Sequence, residues 1–129
     1  MFFNIDPSNG LPIYEQVIRQ VVYAVAAGAL RAGELVPSVR ELAKELAINP
    51  NTVARAYRQL QDDGVLESVR GTGLAVSPGA LLRCRHERRN LIRVRLQQVF
   101  AEARHSRLDT EELRGLVESE LTSAEPTEV

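Results

Sequence analysis

The chain has 129 residues, enough for one domain with a short appendage. At 44% apolar and 26% charged residues its composition is that of a globular chain, which excludes a disordered one. The single cysteine, Cys84, excludes an intramolecular disulfide. The longest apolar-leaning run, residues 21–30, is about half a membrane span. With nothing resembling a secretory signal peptide, the expected location is cytoplasmic.

The net charge of −1 hides a division. Residues 78–107 hold eight arginines against two glutamates, whereas residues 108–129 hold seven acids against one arginine. Such asymmetry points to a polyanionic partner or to basic and acidic helices pairing with each other.

In chain order, residues 1–12 read as a loose lead-in, with DPSNG as a turn cluster. From Ile13 the apolar positions Ile13, Val17, Val21 and Ala24 recur at helical spacing, and Tyr14, Ile18, Val22 and Val25 widen the face. Gly28 closes that helix. Residues 29–37 (ALRAGELVP) contain Gly33, end in proline and read as a short connector.

Ser38 and Glu41 then form a capping box that opens a second helix, with Leu42, Ala43 and Leu46 facing the core and an end near Ala47. Proline disfavours helical geometry in the residue before it. Asn49 is therefore the natural N-cap of a third helix, with Pro50 at its first position. Val53, Ala56, Tyr57 and Leu60 mark its buried face, and Asp62-Asp63-Gly64 ends it. The turn between the second and third helices is within helix-turn-helix range.

Residues 65–69 and 74–77 read as two short strands joined by Arg70-Gly71-Thr72-Gly73. Pro78-Gly79 marks a boundary, followed by a long helix over residues 80–105 with Ile92, Leu96, Val99 and Ala103 on one stripe. A last helix begins with Asp109 and Glu112 as a capping box and Leu108 stapled onto Leu113. Its apolar face is Leu113, Leu116, Val117 and Leu121, and residues 122–129 fray.

The fold class expected is mainly α with a small β-hairpin: a winged helix-turn-helix over residues 1–77, a two-helix dimerisation appendage over 78–122 and a flexible tail over 123–129. In a winged helix the second helix of the pair enters the major groove with its N-terminal residues toward the bases. A helix built for stability alone would bring acids into its first turn, whereas NPNTVARAY starts neutral and turns basic. With Val53, Ala56, Tyr57 and Leu60 in the core, Asn51, Thr52, Arg55, Arg58 and Gln59 face outward. Asn and Arg can pair bidentately with adenine and guanine edges, and the free amides of the first turn favour a phosphate.

PSVRELAKELAINPNTVARAYRQLQDDGVLESVRGTGLAV closely resembles the DNA-binding domain of GntR-family bacterial transcription regulators, with PSVREL, NPNTV and GTG in order and at family spacing. The preceding LPIYEQVIRQVVYAVAAGALRAGELVPS and the short appendage are similar to the YtrA-type subfamily. The resemblance runs from about residue 11 to residue 76. It implies that Arg40 reaches DNA from the second helix and that Ser38 lies where that helix meets the backbone. It implies further that Asn51, Thr52 and Arg55 read or grip the groove, that Arg70 and Gly71 sit at the wing tip, which inserts toward the minor groove, and that Thr72 and Gly73 complete the turn. Pro50 and Ala54 stand where some relatives carry polar or basic contact residues.

The arginines Arg83, Arg85, Arg88, Arg89, Arg93 and Arg95 fit a solvated face, pairing with an acidic helix of a partner, or extra phosphate contacts. Cys84 and His86 are too few and too close for a zinc site, and no nucleophile has a base and an orienting group. Neither metal, cofactor nor enzymatic activity is expected. The two C-terminal helices are too short to bury much alone, so a homodimer through Leu91, Ile92, Leu96, Val99, Phe100, Leu113, Leu116, Val117 and Leu121 completes their core. The expectation is a repressor on palindromic double-stranded DNA, with room for a small-molecule effector between subunits. The rival is a winged-helix protein-interaction or architectural DNA-binding module without sequence-specific regulation.

Overall fold

A computed structural model describes residues 5, 6, 8 and 10–124. Two compact units follow each other along the chain, Met1–Asn90 and Leu91–Val129. The elements run α1 (Ile13–Ala26), α2 (Val39–Leu46), α3 (Pro50–Asp62), β1 (Leu66–Val69), β2 (Gly73–Val76), α4 (Ala80–His105) and α5 (Thr110–Ala124).

In the first unit α1, α2 and α3 enclose a core of Val17, Val21, Val22, Val25, Leu42, Val53, Ala56, Tyr57 and Leu60. The helical periodicity of the sequence placed each of these inside. The core also takes in Ala80 and Cys84, so the first turns of α4 pack with this unit, beyond Pro78-Gly79. Burial pushes the Cys84 thiol up to about 11, with Glu87 adding to the rise and Arg83 opposing it. Cys84 is thus a protonated, apolar packing group at neutral pH.

The helix ends follow their local chemistry. Gly28, at φ +83, lies just past the α1 cap Ala27. Ser38 Oγ accepts from the Glu41 amide at 3.1 Å while Glu41 Oε1 accepts from the Ser38 amide at 3.3 Å, completing the capping box of α2. That helix closes on Ala47 in the left-handed region, φ 54, a conformation costing a non-glycine residue about 1–2 kcal/mol. Holding Ala47 there lets the chain reverse within three residues and start α3 at Asn49.

Two segments differ from the sequence reading. Residues 29–37 are more than a connector, because Leu35 forms an antiparallel bridge with Ala75. Gly33 N donates to Val76 O at 2.8 Å, Val76 N to Glu34 O at 2.9 Å and Val36 N to Leu74 O at 2.9 Å. The lead-in is also tied down. Gln16, buried on α1, donates Nε2 to the carbonyls of Asp6 (2.8 Å) and Leu11 (3.0 Å) and accepts from the Asp6 amide at 2.9 Å. Of the expected DPSNG turn, Pro7 and Asn9 lie outside the described residues; Asp6 accepts from both the amide and the hydroxyl of Ser8, which holds its carboxyl below the usual range.

The hairpin pairs Leu66 with Val76 and Val69 with Gly73. β1 begins one residue later than expected and β2 begins and ends one residue earlier, taking Gly73 from the turn, although Ser77 N still bonds Val65 O at 2.9 Å. Gly71, φ +74, occupies the third position of the turn closed by Thr72 N to Val69 O at 2.9 Å, where a side chain would be strained.

In the second unit α4 continues to His105, the chain turns at Arg107 (φ 67), and α5 begins. Asp109 Oδ1 accepts from the Glu112 amide at 2.9 Å, as a cap should. That amide, and then a hydrogen bond with the Glu112 carboxyl, lower the Asp109 pKa, while the same carboxyl contact raises that of Glu112. The helix runs through Ala124, past the fraying expected from residue 122, and Thr122 Oγ1 donates to Glu118 O at 3.0 Å within it. Residues 125–129 of the expected tail lie outside the described residues.

Candidate nucleic-acid interface

Asn49 Oδ1 accepts from the Asn51 amide at 2.8 Å, Pro50 fills the first helical position, and no acid occupies the first turn of α3. Burial of Val53, Ala56, Tyr57 and Leu60 fixes the rotation of the helix. Asn51, Arg55, Arg58 and Gln59 are thereby exposed, and Thr52 is half-buried. Tyr57 is a core residue rather than a stacking platform: its hydroxyl donates to Pro37 O at 2.8 Å, and burial, with Glu41 and Glu45 nearby, raises its pKa.

Neither α3 arginine pairs with the acids that end the helix. Among the described residues the ion pair is Arg114 with Glu111 on α5. Asp63 instead accepts from Gln59 Nε2 at 3.0 Å, and the Arg55 guanidinium carbon lies 3.7 Å from the centroid of the Tyr14 ring on α1. That contact between helices was not visible in the sequence, where Tyr14 counted only as apolar surface.

Arg40 is exposed on the first turn of α2, and Ser38 is exposed with its hydroxyl engaged by the Glu41 amide. Arg70, Gly71 and Thr72 are exposed at the hairpin tip, with Thr72 Oγ1 3.5 Å from Arg70 O. Ser38 and Thr72 line one open cleft of about 710 Å³, shared with Glu34, Leu35 and Tyr57. The start of α2 and the wing therefore border one space, which Arg40 and the exposed residues of α3 do not line.

Two members of the arginine run serve the fold of the first unit. Arg83 Nη1 donates to Asp63 O at the end of α3, and Arg85 Nε donates to Ala26 O at the end of α1, 3.2 Å away. Cations suit helix C-termini, where the last carbonyls lack partners and the dipole is negative. Arg88, Arg89, Arg93 and Arg95 stay exposed.

Two helices joined through a three-residue turn, packed on a third and followed by a hairpin wing with Arg70 at its tip, define a winged helix-turn-helix DNA-binding regulator. Residues 13–76 match the family described as bacterial regulatory proteins, gntR family. The chain is 37% identical over 109 residues to the HTH-type transcriptional repressor YtrA of Bacillus subtilis (strain 168), spanning 84% of each protein. The chain belongs to the GntR family, and its similarity to YtrA extends past the winged helix into the appendage.

Solved structures agree. A GntR family transcriptional regulator from Listeria monocytogenes superposes with a TM-score of 0.68 at 31% identity, covering 89% of this chain and 98% of that one. The DNA-binding domain of AraR in complex with operator ORE1 has a TM-score of 0.50 at 25% identity, covering 60% of this chain and 94% of that one.

Proposed function

We propose that the chain is a cytoplasmic repressor that binds a palindromic operator as a homodimer. The neutral, asparagine-capped start of α3 carries this reading, because it leaves Asn51, Thr52 and Arg55 outward with no acid to repel a phosphate. Arg40 on α2 and Arg70, Gly71 and Thr72 on the wing, all exposed, join them in contacting DNA, and Ser38 combines a cap with a place beside the backbone. The similarity to a YtrA repressor and to a domain solved on operator DNA supports the assignment. No described helix is long and apolar enough to cross a membrane.

The homodimer reading rests on the second unit. Leu96 and Val99 of α4 are 49% and 53% exposed, as are Leu116 (53%) and Leu121 (60%) of α5. Ile92 is exposed with them, while Leu91, Phe100, Leu113 and Val117 are half-buried. A helical pair with so much apolar surface uncovered gains stability from a second copy.

The test is a titration of a selected duplex and a scrambled one at rising salt. Each neutralised phosphate releases counterions, so both affinities should fall steeply with salt while the selected duplex keeps its advantage. Equal affinity for the two duplexes would support an architectural binder, and salt-independent binding a protein-interaction module.

A further inference from the structure

Arg55 is the outward residue of α3 whose cationic head meets a described aromatic ring. Its guanidinium carbon sits 3.7 Å from the Tyr14 centroid. Such a separation puts the cationic head in contact with the face of the ring. The ring face attracts the cation, and the guanidinium, with five N–H donors, keeps donors free for an acceptor while it rests on the ring. Among the described residues no carboxylate pairs with Arg55, so the ring is what orders it.

Tyr14 is itself well held. It packs half-buried against the core in the first turns of α1, with its hydroxyl 3.4 Å from Glu15 Oε1. Gln16, two residues on, anchors α1 to the lead-in. A long arginine side chain ordinarily loses conformational freedom when it binds, and a head already stacked loses less.

We propose that Tyr14 is a positioning residue for DNA recognition: its ring holds the Arg55 guanidinium ready for an acceptor in the groove, making α1 part of the reading apparatus without touching DNA. This rests on the reading of Arg55 as a groove residue, and the two fail differently. The experiment is a double-mutant cycle on the full chain, with operator affinity measured for Tyr14→Phe, Tyr14→Leu, Arg55→Ala and the Tyr14→Leu/Arg55→Ala pair. Tyr14→Phe keeps the ring and should bind as the parent does. Tyr14→Leu should lose about 3- to 10-fold, with no further loss when added to Arg55→Ala.

Unchanged affinity in Arg55→Ala would overturn both the groove role of Arg55 and the role of Tyr14. Loss in Arg55→Ala with none in Tyr14→Leu, or a Tyr14→Leu loss that persists in full beside Arg55→Ala, would overturn the positioning role alone. Should Tyr14→Leu fail to fold, the exposed change Arg55→Lys decides. It keeps the charge and gives up the planar guanidinium that meets the ring, so weakened binding is expected, and full affinity would overturn the proposal.

Discussion

Tyr57 of the recognition helix donates its hydroxyl to Pro37 O at 2.8 Å, joining the buried side of α3 to the residue just before the cap of α2. The two helices that would face DNA are thus fixed to each other by a polar bond as well as by apolar contact. Tyr57→Phe keeps the ring and strands the carbonyl. Since Pro37 is half-buried and water can partly replace the hydroxyl, the expected loss is about 1 kcal/mol, read from urea unfolding.

The same phenol gives alkaline pH a sign. Burial first, then Glu41 and Glu45, raise its pKa in the folded chain. Below pH about 10 it is protonated in both states. Above that the unfolded chain ionises while the folded chain holds its proton, so stability falls as pH rises. Cys84, at about 11 when folded, adds a loss that begins nearer the ordinary thiol range, about pH 9. Melting temperatures from pH 8 to 11 should decline less steeply in Tyr57→Phe than in the parent.

Arg40→Ala should weaken specific operator binding by about 1–3 kcal/mol and leave the melting temperature in place, because the side chain is exposed and joins no core contact. A gel-shift titration beside a thermal melt checks both halves. Unchanged affinity would remove Arg40 from the interface.

Arg83→Ala and Arg85→Ala should behave in the opposite way. Each frees a helix-terminal carbonyl, of Asp63 and Ala26 respectively, at a cost of about 0.3–1 kcal/mol. With their guanidiniums turned to the protein's own backbone, the salt slope of DNA binding should stay where it is. A slope reduced by about one in either variant would instead mark a phosphate contact.

These contrasts show which parts of the molecule were legible in the chain. The orientation of α3 was, because Asn49-Pro50 fixes a helix start through local geometry and Val53, Ala56, Tyr57 and Leu60 repeat at helical spacing. The capping box of Ser38 and Glu41 is similarly local. Arg85 meeting Ala26, 59 positions away, has no local signature, and an arginine in a basic run looks alike whether it meets phosphate or a helix end. Leu35 escaped notice because a one-residue bridge has no alternation to read. Tyr14 matched an apolar face, and periodicity cannot tell a core ring from one that carries a cation.

Leu96→Glu and Val99→Glu put charge on the uncovered face of the second unit. Sedimentation at micromolar concentration should show the parent as a dimer and both variants as monomers, with weaker operator binding because each half-site is then held alone. A monomeric parent would contradict the proposed assembly.

The central claim is that the exposed residues of α3, α2 and the wing read a base sequence. Selection of bound duplexes from a random pool by the full chain tests it most directly. The account predicts enrichment of one sequence with two inverted half-sites, at a spacing set by the dimer. A bound pool with no shared sequence would contradict it.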